Sequence, residues 1–166
     1  MKKLFAIVLA LMMALSLCAC GDDANKETEP AAAQGPVGYT FTHNGVKFGV
    51  DMDVAEVLTG LGNYNNRKET ESCAFGGMDV DYYYSDFTIY TNTEKGYERI
   101  YCIELTNDMV ETEEGVSLFQ TADAVTAAYG TPSQSSTTGM VYEKDGMTLT
   151  FLLTDGNVSS IQYYIG

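Results

Sequence analysis

The chain is 166 residues long and strongly acidic. It has 9 Lys and Arg against 23 Asp and Glu, which gives a formal net charge of −14. Nucleic-acid phosphates are bound through Lys and Arg, so this balance argues against a nucleic-acid partner, and it also disfavours a domain that lies flat on anionic lipid. Hydrophobic residues make up 45% of the chain, which is ordinary for a globular protein, and the length suits one domain.

The first twenty residues have the order of a bacterial export signal. Lys2 and Lys3 precede an apolar run over residues 4–17 that only Ser16 interrupts, and small residues follow. A positive start, an apolar stretch and a small-residue cleavage site are together typical of a signal peptide. The run is shorter than the about 20 apolar residues that a membrane-spanning helix needs.

The segment Leu17-Cys18-Ala19-Cys20 resembles the lipobox of bacterial lipoproteins. In that pattern a Leu lies three positions before the modified Cys and a small residue lies directly before it, which Cys20 satisfies and Cys18 does not. The resemblance implies that residues 1–19 are removed and that Cys20 becomes a diacylglyceryl-cysteine with acyl chains such as palmitate. Two chains suffice for stable anchoring, since each buried CH₂ contributes about 0.8 kcal/mol. The alternative is an ordinary secretory signal that happens to contain Cys.

This resemblance predicts a lipid anchor in the cell membrane and a domain on its extracytoplasmic face, at the cell surface. Without residues 1–19 the chain keeps 7 Lys and Arg against 23 Asp and Glu, a charge of −16. Residues 21–36 contain no large apolar residue and cannot bury enough surface to offset the entropy of ordering. We therefore predict a disordered tether over residues 20–36 and a folded domain over 37–166.

Local patterns at the start of this domain predict a hairpin and a helix. The pair Asn44-Gly45 between two alternating apolar runs is a strong hairpin signal. Asp53 and Glu56 have the spacing of a helix cap, and Gly62 is a stop signal for the helix. An apolar stripe with helical spacing lies between them, formed by Val54, Val57, Leu58 and Leu61.

Alternation with a period of two then predicts strands, and the same order recurs after a second helix. That helix lies between Thr121 and Gly130. Strands are predicted near 72–76, 79–84, 87–92 and 99–106 in the first half, and at 140–144, 147–153 and 157–165 in the second. We predict an α+β fold with two tandem short-helix plus antiparallel β-meander units, 37–110 and 111–166, in one domain, each helix covering one sheet face.

Several segments resemble a family of uncharacterised lipoproteins of Gram-positive anaerobes over nearly all of 37–166. They are Ser72–Asp79, Tyr82–Phe87, Leu105–Asp108 and Thr112–Val116. The helix-ending segment Val125–Pro132 resembles the repeated helix-plus-meander fold of the β-lactamase-inhibitor-protein (BLIP-like) and BamE-like group. This fold resemblance implies a binding module, but it carries no inhibitory motif and names no partner.

Two cysteines remain beyond the lipobox, Cys73 and Cys102. They are predicted on the first and fourth strands of a sheet, about 14 Å apart at a strand spacing of about 4.8 Å. A disulfide needs Cα atoms less than about 7 Å apart, so we expect two free thiols. With Ala74 and Phe75 beside it, Cys73 is expected to be a small buried thiol.

The residues that could carry chemistry are sparse. His43 is the single histidine, so nucleophilic catalysis would need a pair such as Cys73 with His43. The carboxylate pairs Asp79/Asp81 and Asp51/Asp53 lack the spacing of a calcium loop. We predict no metal site and no cofactor.

The remaining candidate is an exposed sheet face. If the apolar residues of each strand pack under the helices, the residues that alternate with them point away from the helices. On the fourth strand this alternation places Cys102 outward and Tyr101 inward. The outward set predicted to bind a partner is Asp81, Tyr83, Tyr90, Glu104, Gln162 and Tyr164. Tyrosine gives a large contact area with a polar tip, although exposed sheet faces also favour Tyr and Thr for structural reasons alone.

Three functions are compatible with these patterns. The first is a non-catalytic lipoprotein whose acidic, tyrosine-bearing sheet face binds an extracellular protein or peptide, preferably a basic one. The second is an envelope-associated hydrolase that uses paired carboxylates or Cys73. The third is the substrate-binding part of an uptake system, for which the domain is small. We favour the first and expect no enzymatic activity.

Overall fold

The computed structural model describes residues 35–165, most of which pair into one antiparallel sheet. The predictions for the signal peptide, for Cys20 and for most of the tether lie outside these residues. The elements in chain order are β1 Phe41–His43, β2 Val46–Phe48, α1 Val54–Leu61, β3 Asn66–Glu71, β4 Met78–Tyr83, β5 Phe87–Asn92, β6 Arg99–Leu105, α2 Ala122–Tyr129, β7 Gln134–Ser135, β8 Gly139–Lys144, β9 Met147–Thr154 and β10 Asn157–Ile165.

The large sheet has eight strands in the order β3-β4-β5-β6-β10-β9-β8-β7, and every pair is antiparallel. Strands β1 and β2 form a separate two-stranded hairpin. Strands β6 and β10 are far apart in the chain, yet they pair directly, with Ile103 opposite Tyr163 and Leu105 opposite Ile161. This pairing joins the strands before α2 to those after it.

The predicted α+β fold of two tandem helix-plus-meander units is therefore wrong. The described residues are 44% strand and 12% helix, and the strands belong to one eight-stranded sheet and one small hairpin. The physical reason is the pairing of β6 with β10, which makes the hydrogen-bonded sheet continuous and gives it a single core. Alternating apolar and polar residues indicate individual strands, and short turns between them indicate which consecutive strands pair. Neither signal indicates that β6 pairs with β10.

Short-range signals predicted the helices and the hairpin correctly. The Asp53 carboxylate accepts a hydrogen bond from the backbone N–H of Ala55 at 2.9 Å, and α1 ends at Gly62 with a φ of 77°. Asn44 and Gly45 both have positive φ, 51° and 81°, as a two-residue hairpin turn requires. Neither helix among residues 35–165 is long and apolar enough to cross a membrane.

The first predicted strand is misplaced. Residues 72–77 form a loop, and the pairing strand is β3 at Asn66–Glu71. This strand lies at the edge of the sheet and all six of its side chains are exposed, so it has no apolar alternation that a sequence could show. Cys73, predicted to be a small buried thiol, is exposed in the loop.

The core lies on one face of the large sheet, under both helices and the small hairpin. Phe41 of β1 is fully buried at its centre. Its ring lies 5.5 Å from that of Phe48, 5.2 Å from that of Phe87 and 6.3 Å from that of Tyr163. Aromatic pairs at these distances add to the apolar area that they bury, and they tie the hairpin to β5 and β10.

Replacing Phe41 by Ala is expected to lower the free energy of unfolding by about 3–5 kcal/mol, because the truncation removes apolar contacts and leaves a cavity. Phe119, whose side chain is 66% exposed, provides the control: Phe119→Ala is expected to change stability by no more than about 0.5 kcal/mol. Urea unfolding at neutral pH measures both effects. Equal losses in the two variants would contradict the central position of Phe41.

Candidate functional site

The sheet residues that alternate with the core residues form a second face, here called the outer face. The helices and the hairpin direct their apolar residues into the core on the opposite side. On the outer face the strand register forms rows that run across the sheet. One row contains Lys68, Asp81, Tyr90, Cys102, Tyr164 and Thr148, and the next contains Asn66, Tyr83, Thr88, Glu104, Gln162 and Thr150.

The structure places all six residues of the predicted binding set in these two adjacent rows. They are Asp81, Tyr83, Tyr90, Glu104, Gln162 and Tyr164. The pairing of β6 with β10 brings together the members from the two halves of the chain, since it sets Glu104 opposite Gln162. The set is therefore contiguous over strands β4, β5, β6 and β10.

Glu104 is the centre of a hydrogen-bond network on this face. Its Oε2 accepts a bond from the Tyr90 hydroxyl at 2.9 Å, and its Oε1 accepts one from the Ser160 hydroxyl at 3.0 Å and one from the Gln162 amide at 3.1 Å. These donors come from β5 and β10, the two strands that flank β6. The network fixes the carboxylate and links three strands through their side chains.

Two further carboxylates of the outer face are oriented by neighbours. The Tyr83 hydroxyl donates to Oδ2 of Asp81 at 3.0 Å, and the Asn92 amide donates to Oδ1 of Asp79 at 2.7 Å. Each bond uses one oxygen, so the second oxygen of each carboxylate has no hydrogen-bond partner among residues 35–165. Both acidic groups thus keep acceptor capacity for a ligand.

A β-bulge adds Tyr101 to the outer face. The register between β5 and β6 shifts so that Tyr90 pairs with Cys102 and Thr91 pairs with Ile100, which leaves Tyr101 as the extra residue. The Tyr101 ring contacts three others: its centroid lies 5.3 Å from that of Phe75, 5.9 Å from that of Tyr164 and 6.3 Å from that of Tyr90. We call these four residues the aromatic cluster.

Two of the four residues of this cluster, Tyr101 and Phe75, were not predicted from the sequence to lie on the outer face. Tyr101 was predicted to point inward with Ile103 and Leu105, because strict alternation has no place for a bulge. Phe75 was predicted on a strand, whereas it lies in the 72–77 loop. The sequence offers no signal for the bulge. An aromatic residue beside Gly76-Gly77 could have suggested a loop that folds onto the sheet.

Burial and nearby acids raise the pKa values of two tyrosines and of the cysteine on this face. Burial, together with Asp79 and Asp81, raises the pKa of Tyr101 to about 12. Burial and then Glu104 raise the pKa of the Cys102 thiol to about 12. Burial and the hydrogen bond to Glu104 also raise the pKa of Tyr90. The face therefore presents tyrosine hydroxyls and a neutral thiol beside its carboxylates.

The predicted nucleophile and base are not brought together. The His43 ring packs 4.9 Å from Phe87 and 6.3 Å from Phe41, measured between centroids. Within the described part of the chain, no hydrogen bond joins His43 to a cysteine or to a carboxylate, and Cys73 lies exposed in its loop. Over the same residues, no three His, Cys, Asp or Glu side chains converge as metal ligands.

Comparisons with known proteins were made at the levels of family, sequence and structure. No family model matches the chain, and no curated protein matches it. Among solved structures, the chain is similar to an extracellular protein containing an SCP domain from Bacillus anthracis str. Ames, with a TM-score of 0.42 and 9% sequence identity. The match covers 87% of this chain and 50% of that protein, so the chain spans about half the length of its structural neighbour.

The two thiols are expected to differ sharply in reactivity in the folded protein. Cys102 is 7% exposed and its pKa of about 12 leaves little thiolate at neutral pH, so a thiol reagent should label exposed Cys73 more than about tenfold faster. Peptide-resolved mass spectrometry separates these sites from Cys18 and Cys20. In urea the two rates should converge. Equal rates in the native protein would contradict the burial of Cys102.

Proposed function

We propose that this chain is a lipid-anchored, extracytoplasmic binding module whose outer face holds a basic protein or peptide. The observation that carries the proposal is the combination of partly exposed tyrosines and fixed carboxylates in two adjacent rows of the outer face. Groups that are already oriented lose little entropy on binding, which favours their use in recognition. Tyr164 is 40% exposed and offers both ring area and a free hydroxyl to a partner.

The charge distribution favours a cationic partner. Residues 35–165 contain six Lys and Arg against nineteen Asp and Glu. Lys47 is paired with Glu113, Arg67 with Glu69, and both Lys95 and Arg99 with Asp51. None of these acids belongs to the two rows, and no Lys or Arg of the described part lies within 4.0 Å of Asp79, Asp81 or Glu104. Among residues 35–165, Lys68 is the one basic side chain in the two rows, so a basic partner would supply further positive charge.

The membrane anchor in this proposal rests on the resemblance of Leu17-Cys18-Ala19-Cys20 to the lipobox. Cys20→Ser is expected to abolish metabolic incorporation of labelled palmitate and to move the protein from the membrane fraction to the medium. Loss of two acyl chains removes the apolar burial that holds such a protein in a bilayer. Cys18→Ser is the matched control and should retain both the label and the membrane location. Unchanged palmitate in Cys20→Ser would contradict the assignment.

Binding to the outer face is tested with a short Lys- and Arg-rich peptide and the double variant Tyr83→Ala/Tyr164→Ala. The variant is expected to bind about tenfold more weakly, a loss of about 1.4 kcal/mol. Raising the salt from about 0.1 M to 1 M should weaken binding to the parent protein, because exposed charges are screened. Tyr64→Ala is the matched control, since Tyr64 is also 40% exposed but packs on Tyr82 on the core side.

Fluorescence anisotropy gives the dissociation constants, and thermal unfolding checks that the double variant remains folded. Equal affinities of the double variant and the parent, with both folded, would contradict the use of the outer face. An affinity that does not depend on salt would contradict the electrostatic part of the proposal.

A further inference from the structure

The aromatic cluster lies over the buried thiol of Cys102, and we call the cluster and this thiol together the seat. Cys102 is the register partner of both Tyr90 and Tyr164, so its side chain lies between them. It is only 7% exposed, while Tyr164 is 40% exposed. The extra residue of the bulge, Tyr101, adds its ring to the same spot. The thiol is thus buried beneath the three tyrosine rings.

Carboxylates with spare acceptor oxygens lie beside these rings. Asp81 is in the same row as Tyr90, and Asp79 lies one row further along β4. Oδ1 of Asp81 and Oδ2 of Asp79 accept no hydrogen bond from residues 35–165. After burial, both acids also help to raise the pKa of the Tyr101 hydroxyl.

The chain itself shows how such groups hold a cation. On the core side of the sheet edge, the Arg67 guanidinium lies 5.6 Å from the centroid of the Tyr82 ring and its Nη1 donates to Glu69 at 2.7 Å. Lys144 lies over Tyr39 at the same distance. In contrast, no Lys or Arg of residues 35–165 lies over a ring of the aromatic cluster. The outer-face rings therefore have the same chemistry but no cation from this chain.

Neighbouring basic residues do not fill the seat. Arg99 and Lys95 lie at the strand ends beside both Phe75 and Tyr101, on the side of the cluster away from Tyr90 and Tyr164, and both interact with Asp51. Lys68 on the edge strand is opposite Asp81 in register, but it makes no ion pair within 4.0 Å there. The open side of the seat is thus the side of Tyr90, Tyr164 and Asp81, where negative charge is in excess.

Resting on the proposed function, we infer that the aromatic cluster is the specificity site of the outer face and that it holds an arginine side chain of the partner. A guanidinium is planar and weakly hydrated, so it stacks on tyrosine rings better than the ammonium of lysine does. Its fork of N–H donors can bond two acceptor oxygens at once, and Asp79 and Asp81 each offer one spare oxygen. Lysine would satisfy the charge but only part of this geometry.

The test uses the full chain and three fluorescent peptides that have identical flanking lysines and differ only at a central Arg, Lys or citrulline. Citrulline keeps the shape of arginine but has no charge. The arginine peptide is expected to bind several-fold more tightly than the lysine peptide and about tenfold more tightly than the citrulline peptide. Tyr101→Ala and Asp81→Asn should each remove most of this preference.

Two controls separate the seat from general acidity and from folding. Asp123→Asn removes an exposed acid on α2 and should leave the preference for arginine unchanged. Tyr164→Ala changes a more exposed member of the same cluster, so it keeps the test decisive if Tyr101→Ala fails to fold. Thermal unfolding of each variant establishes which ones are folded.

Each outcome leads to a different conclusion. A preference for arginine that is lost in the seat variants and kept in Asp123→Asn supports the seat. Equal binding of all three peptides, still weakened by Tyr83→Ala/Tyr164→Ala, would overturn the seat and leave the proposed function standing. If no peptide binds to the folded parent chain, both proposals are wrong.

Discussion

The pairing of β6 with β10 is the interaction on which the rest of the structure depends. On the core side it sets Ile103 against Tyr163 and Leu105 against Ile161, all of which are buried. On the outer face the same pairing sets Glu104 against Gln162. A single ladder of backbone hydrogen bonds therefore builds the centre of the core and the centre of the candidate site together. Loss of this ladder would expose the inner faces of both groups of strands.

The outer face differs from an ordinary solvated sheet surface in how its polar groups are held. Glu104 accepts three side-chain hydrogen bonds, and Asp79 and Asp81 accept one each. Such a network costs side-chain entropy and adds modest stability, since each hydrogen bond replaces one with water. Its main effect is to fix the direction of the negative charges. That property matters for recognition, where oriented groups give specificity more than raw affinity.

The parts of the fold that the sequence predicted are those set by short-range physics. The cap at Asp53, the stop at Gly62 and the turn at Asn44-Gly45 each depend on residues within one turn of the chain. Alternation within β4, β5, β6 and β10 also identified the six outward residues, because neighbouring side chains of a strand must point to opposite faces. The prediction failed where structure depends on distant partners or on irregularity. The pairing of β6 with β10 joins residues far apart in the chain, and the bulge at Tyr101 breaks the alternation on which the prediction relied.

The exposed edge strand β3 has a consequence for how copies of this chain behave at high local concentration. A sheet edge with unpaired backbone groups can template aggregation by adding a strand from a neighbour. All six side chains of β3 are exposed, and four of them, Arg67, Lys68, Glu69 and Glu71, are charged. Charged side chains on an edge strand oppose the addition of such a strand. Copies of this chain at high concentration would thus be discouraged from joining their sheets edge to edge through β3.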